Sequence, residues 1–187
     1  MRPDIPWLTT SATVGLIAAI SLIKPAPKLV WNASASAPIG LYWIGSADTP
    51  GLGDLLAIRA PEKIARLMDD RDYLPPNALL IKHVSALTGT KICREGERVI
   101  VAGRVIALAK SLDPQGRRLP VWSGCRRLAD DEIFLVNAGV ADSLDGRYFG
   151  PFPRNSIVGH ARPIWTDDSR NGRHKLRLPS IKPAPKI

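Results

Sequence analysis

The chain has 187 residues, 45% hydrophobic and 23% charged, which is room for one folded domain with short extensions and argues against a second full domain. Its formal net charge of +9 is compatible with a nucleic-acid partner, an anionic membrane surface or solubility alone. The two cysteines are too few for a zinc site of four clustered ligands, and there is no Walker loop, GxGxxG or HExxH to carry nucleotide or metalloprotease chemistry.

Behind residues 1–4, the stretch from Ile5 to Ile23 carries no charge and has about the length that crosses a bilayer core as a helix. Thr9, Thr10, Ser11, Thr13 and Ser21 dilute it, while Trp7 near one end and Lys24 and Lys28 beyond the other suit interfacial anchors. A cleavable signal peptide ending at Ala33-Ser34-Ala35 is the rival reading. Its apolar part would stop ten residues before that triplet, so a retained anchor at 5–23 and a linker at 24–31 are expected. Pro25 and Pro27 would end a buried soluble helix equally well. The flanking charges lean against export, since Lys24 and Lys28 follow the segment while Asp4 offsets Arg2.

The body is expected over 32–165 and is mainly β. Seventeen prolines and fifteen glycines among short Val, Ile and Leu runs favour strands and turns over a helical bundle. Leu52–Arg59, behind Pro50-Gly51, reads as a strand, and Pro61 stands at the first position of a short helix with Ile64, Leu67 and Met68 on one face. Ala78–Ser85 is an apolar run with one lysine at its centre. Arg98–Ala107 reads as a hairpin turning at Ala102-Gly103. Ile133–Asn137 and Ile157–Trp165 complete the strands. From Thr166 to Ile187 the composition is that of a disordered tail. Arg170, Arg173, Lys175, Arg177, Lys182 and Lys186 crowd there, and a solvated tail explains them more simply than a membrane or nucleic-acid contact. Cys93 and Cys125 either pair, in an oxidising compartment, or stay as buried apolar residues.

Two positions carry candidate chemistry. Lys82, in Leu79-Leu80-Ile81-Lys82-His83-Val84, either points to solvent from a half-buried strand or is buried with a lowered pKa. Buried, its neutral amine can take a proton from a hydroxyl near neutral pH. Ser36, in Asn32-Ala33-Ser34-Ala35-Ser36-Ala37-Pro38-Ile39-Gly40-Leu41-Tyr42, is followed by a proline that fixes the local backbone, although a plain Ser/Ala linker would look similar. His83, His160 and His174 read as structural or solvated, which leaves a Ser-His-Asp triad little support.

In combination these segments resemble the signal peptidase I family, in its conjugative-transfer, TraF-type branch. Ser36-Ala37-Pro38-Ile39-Gly40-Leu41-Tyr42 resembles the nucleophile motif, Gly53-Asp54 the short box after it, and Leu80-Ile81-Lys82-His83-Val84 the lysine motif. Asp142-Ser143-Leu144-Asp145-Gly146-Arg147-Tyr148-Phe149-Gly150 resembles the last box, and Ile157-Val158-Gly159-His160-Ala161 the strand behind it. No single box is specific, but the ordered set covers 32–161.

The resemblance implies a signal-peptidase-like compact β domain behind an N-terminal transmembrane helix, and a serine endopeptidase with Ser36 as nucleophile and Lys82 as general base. The Ser36 backbone N–H and the Ser34 hydroxyl match the oxyanion-hole positions. Ser143 matches the residue that orients the lysine, and Asp145 and Arg147 match a supporting acid–base pair. It implies no metal or organic cofactor. The implied partners are an exported precursor or pilin substrate, the cytoplasmic membrane and the conjugative transfer apparatus, with no specific nucleic acid. The catalytic domain is implied on the periplasmic side of the inner membrane.

Two departures stand out. Ala37-Pro38 replaces the Met-x-Pro of general leader peptidases, and Thr88-Gly89-Thr90 replaces the usual Pro-Gly-Asp. The short body implies an absent or reduced accessory β domain. The competing readings are a noncatalytic membrane-tethered β module of a secretion or conjugation apparatus and a self-cleaving repressor. The second would need a soluble basic reading domain where the apolar segment stands.

Overall fold

Proline and glycine punctuation divides the apolar runs into twelve short strands among the described residues, all paired antiparallel. The computed structural model describes residues 28–167 and 172–177. The expected segment 1–4, the anchor at 5–23 and residues 24–27 of the linker lie outside the described residues, as does most of the expected tail. Among the described residues no helix is long and apolar enough to cross a membrane.

The larger sheet contains β1 (Leu29–Asn32), β2 (Ile39–Ile44), β3 (Leu55–Arg59), β4 (Leu79–Ala86), β9 (Glu132–Leu135), β10 (Phe152–Pro153) and β11 (Ile157–Asp167), in the order β1-β2-β11-β3-β4-β9-β10. The last strand, β12 (Lys175–Leu176), pairs with the end of β11. The smaller sheet has the order β7-β6-β5-β8, from β5 (Lys91–Glu95), β6 (Arg98–Val101), β7 (Arg104–Leu108) and β8 (Gly124–Arg127). Two short helices, α1 (Glu62–Asp69) and α2 (Gly146–Phe149), complete the body.

Alternation decides the faces. In β2, Gly40, Tyr42 and Ile44 are buried, whereas Trp43 on the other face is exposed. Gly40 has φ +143°, and a Cβ there would lie 2.1 Å from the Trp165 carbonyl oxygen of β11. Only glycine lets the two backbones approach so closely. In β4, Leu80 and Val84 pack with Leu56, Met68, Ile133, Leu135 and Phe152, while Ile81 faces a second cluster with Ala37, Tyr42, Ala57 and Ala161. The strand is thus apolar on both sides, which is why its sequence does not alternate.

Several boundaries move. The strand expected from Leu52 begins at Leu55, because Gly51 N–H donates to the Asp54 carboxylate at 2.7 Å and closes a turn first. Pro61 caps α1 from outside rather than opening its first turn, with Met68 buried and Ile64 half-buried beneath. The hairpin turns at Ala102-Gly103, both with positive φ, as a two-residue loop between β6 and β7 requires. The tail expected to be disordered from Thr166 instead starts as strand: Thr166 and Asp167 are buried in β11, and Lys175-Leu176 pair with Thr166 and Trp165. Hydrogen bonding to β2 and β12 outweighs the polar composition there. Cys93 and Cys125 are cross-strand partners in β5 and β8 and form a disulfide.

Candidate active site

The nucleophile candidate sits on the turn between β1 and β2. Asn32, the buried last residue of β1, accepts the Ser34 N–H at 3.2 Å and the Ser34 hydroxyl at 3.0 Å through Oδ1. Its Nδ2 donates to the carbonyls of Ser34 (3.0 Å), Ala37 (3.2 Å) and Pro38 (3.1 Å). The Tyr42 hydroxyl also donates to the Pro38 carbonyl, at 2.7 Å. A six-residue excursion is therefore held at both ends, and it places Ser34 Oγ 2.9 Å from Ser36 Oγ.

Lys82 comes to the same place from the middle of β4. Its side chain is 1% exposed, and Nζ donates to Ser143 Oγ at 2.8 Å. Burial among apolar groups pushes the amine down to about 8; the carboxylate of Asp145 opposes this and Arg147 adds to it. Ser36, Ser34 and Lys82 line one cavity of about 260 Å³, whose other walls include Met68, Leu80, Val140 and Leu144. A second cavity, of about 450 Å³, is lined by Ser36 together with Pro38, His83, Asn137 and Asp167. A hydroxyl, a partly neutral amine and a mainly apolar recess on one side suit nucleophilic attack on a carbonyl with proton transfer to nitrogen.

Ser143, Asp145 and Arg147 arrive on the segment entering α2. Asp145 and Arg147, 0% and 1% exposed, form an ion pair with Arg147 Nε 2.8 Å from Asp145 Oδ1 and Nη2 3.1 Å from Oδ2. Arg147 also donates to the carbonyls of Asn137 (2.9 Å) and Ala141 (3.0 Å), and Asp145 accepts the N–H of Asn137 (3.0 Å) and of Arg147 itself (3.1 Å). With both charges so fully bonded, the pair fixes the loop 137–145 under Lys82. The structure thus brings together Ser34, Ser36, Lys82 and Ser143, with Asp145 and Arg147 behind them.

Asn137 was not singled out from the sequence. Its Nδ2 donates to the carbonyls of Ser36 (2.5 Å) and Ile81 (3.0 Å), and its Oδ1 accepts from the His83 N–H at 2.9 Å. It ties the Ser36 turn to the strand of Lys82, and only its place at the end of an apolar run hinted at a role. His83 contacts the same amide through Nδ1 at 3.0 Å with its side chain exposed. His160 lies 3.6 Å from Asp54, and His174 stacks on Trp31 and Trp165. None of the three lines the cavity that holds Lys82. Among the described residues one group has metal-ligand spacing, Cys93, Glu95 and Cys125, and its two sulfurs are bonded to each other.

Comparison with known proteins places these residues in a family context. Residues 5–166 match the family described as signal peptidase, peptidase S26. A probable conjugal transfer protein TraF of Sinorhizobium fredii is 36% identical over 146 residues, covering 72% of this chain and 76% of that protein. A plasmid transfer protein TraF of Escherichia coli is 31% identical over 147 residues, covering 72% and 81%. Among solved structures, a signal peptidase I from Enterococcus faecalis aligns with 62% of this chain and 98% of its own, at 14% identity and a TM-score of 0.37. A likeness at that level carries no inference about this chain.

Proposed function

Because the chain belongs to the signal peptidase family, peptidase S26, we propose that it is a membrane-anchored serine endopeptidase that cuts exported precursors by a Ser36–Lys82 dyad. The observation that carries the reading is the burial of the Lys82 amine in the cavity that Ser36 also lines. Ser36 Oγ attacks the scissile carbonyl while its proton passes to neutral Lys82 Nζ. The oxygen of the tetrahedral intermediate is met by the Ser36 N–H and the Ser34 hydroxyl. The amine leaving group takes the proton from Lys82, which leaves an ester on Ser36. Water, or an amine of the substrate itself, then attacks the ester and returns the proton through Lys82 to Ser36 Oγ. Ser143 holds the amine in place. No metal or organic cofactor enters these steps.

The relatives named TraF support a place in conjugative transfer, so the proposed substrate is a small pilin precursor that is matured and, by internal aminolysis, cyclised. The proposed location is the cytoplasmic membrane with the domain on its periplasmic side. Support comes from the uncharged segment at 5–23, from the disulfide and from the outer face of the large sheet. That face carries exposed Leu29, Trp31, Trp43, Trp165 and Leu176, and its register puts Leu29 opposite Trp43 and Trp165 opposite Leu176. It begins five residues after Lys24; Arg162 stands opposite Trp43, Lys175 is next to Leu176, and the Lys28 carbonyl accepts from Ile44 beside Trp43, so all three basic residues lie close to it. Indole rings with a basic rim suit an anionic lipid surface.

The test is incubation of the membrane-embedded protein with candidate pilin precursors, followed by mass spectrometry of the products. Wild type is expected to shorten one precursor and Ser36→Ala to leave it intact. A product about 18 Da lighter than the linear trimmed peptide marks cyclisation, since closure by an internal amine omits the added water. Equal processing by Ser36→Ala would remove the proposal, and a purely linear product at full conversion would remove its cyclising part.

A further inference from the structure

Ser34 has a second partner besides Ser36, and the chemistry of that partner fixes which way a proton can point. An amide oxygen only accepts. The contact of 3.0 Å between Ser34 Oγ and Asn32 Oδ1 therefore has Ser34 as donor. A serine hydroxyl has one hydrogen, so in the 2.9 Å contact between Ser34 and Ser36 the donor is then Ser36. The order of donation in the resting site is Ser36 to Ser34 to Asn32. Without Asn32 the Ser34 hydroxyl is free to turn and donate to Ser36 Oγ, which would tie up a lone pair that the attack on the carbonyl needs.

We propose that Asn32 is a positioning residue of the Ser36–Lys82 site: it parks the Ser34 hydroxyl hydrogen away from the nucleophile and fixes Ser34 Oγ beside the place where the oxyanion forms. The inference rests on the dyad reading above and adds to it a residue outside the dyad and the oxyanion hole. Asn32 is 5% exposed, and both polar atoms of its side chain are engaged within the turn 34–38. Its Nδ2 sets the path of that turn, and its Oδ1 sets the rotamer of Ser34. On substrate arrival the Ser36 proton goes to Lys82, and the Ser34 hydroxyl swings from Asn32 Oδ1 to the developing oxyanion. The acceptor it leaves keeps the Ser34 N–H, at 3.2 Å, so the turn stays in place during the exchange.

A double-mutant cycle separates this role from simple support of the fold. Asn32→Ala is expected to lower kcat by roughly 10- to 100-fold with KM changed less than about 3-fold, as loss of a transition-state contact predicts. Ser34→Ala is expected to cause a loss of similar size. In the Ser34→Ala background, adding Asn32→Ala is expected to cost less than about 3-fold more, because the hydroxyl it acts through is gone. If the two losses multiply, Asn32 acts only by shaping the turn and the proposal is wrong. If Ser34→Ala alone leaves kcat unchanged, the hydroxyl has no role for Asn32 to serve, and the proposal is equally wrong. Each protein is also melted, and Asn32→Ser replaces Asn32→Ala in the cycle if the alanine variant does not fold. Ser36→Ala, run beside these, reports on the dyad separately: if it stays inactive while the cycle is additive, the dyad stands and the assignment of Asn32 falls.

Discussion

A lysine amine held in an apolar recess is poorly placed to carry charge, and at Lys82 this has consequences for both activity and stability. With the amine pushed down to about 8, processing is expected to rise with pH through that value and to level above it. A rate that climbs only above pH 10 would mean a solvated lysine. The stability effect has the opposite reading. Folding lowers the pKa from 10.5, so the charged amine costs stability in full below about pH 8, and the cost fades as pH rises towards the unfolded value. Lys82→Met is therefore expected to abolish processing while raising the urea midpoint at pH 7, with the gain shrinking between pH 8 and 10. A variant less stable than wild type at pH 7 would contradict the burial argument.

At the scale of elements, the site depends on three chain segments meeting: the β1–β2 turn with Ser36, strand β4 with Lys82, and the loop into α2 with Ser143. Asp145 and Arg147 hold the third segment. Arg147→Ala leaves a buried carboxylate without its partner and is expected to cost about 3–5 kcal/mol of stability, measured by urea unfolding. A loss under about 1 kcal/mol would be the value of an exposed pair and would mean that the ion pair does not hold the loop. The segments around Ser36, Lys82 and Ser143 stood out in the sequence by their resemblance to an ordered set of boxes, and the fold brings these three side chains to one place. The strands were legible where proline and glycine bound a run of Val, Ile and Leu, as at Arg98–Ala107. Asn137 was not, because its partners Ser36 and Ile81 lie 101 and 56 positions away and only the folded sheet brings them within reach. The end of β11 was missed for a similar reason. Thr166 and Asp167 look like tail by composition, and their partners, Gly40 and Ile39, are far earlier in the chain.

For the whole molecule, the large sheet carries a face with Trp31, Trp43 and Trp165 exposed, and the proposed topology sets that face against lipid. In vesicles of anionic lipid, a Trp7→Phe, Trp122→Phe variant retains only Trp31, Trp43 and Trp165 as tryptophans. Brominated lipids are expected to quench its emission and dissolved acrylamide to quench it weakly. Strong acrylamide quenching without lipid quenching would place the face in water. A reporter fused after Ile187, which leaves β11 and β12 whole, should likewise read the periplasmic side, and a cytoplasmic reading would reverse the proposed topology.

The central claim is that Ser36 itself carries the acyl group, so the most direct measurement is capture of that intermediate. Enzyme mixed with a processed precursor and quenched in acid during turnover is digested, and the fragment containing Ser36 is weighed. The account predicts a mass increase equal to the acyl part of the substrate, on Ser36, removed by hydroxylamine as an ester is and absent from Ser36→Ala. An adduct on any other residue, or turnover by Ser36→Ala at the wild-type rate, would contradict it.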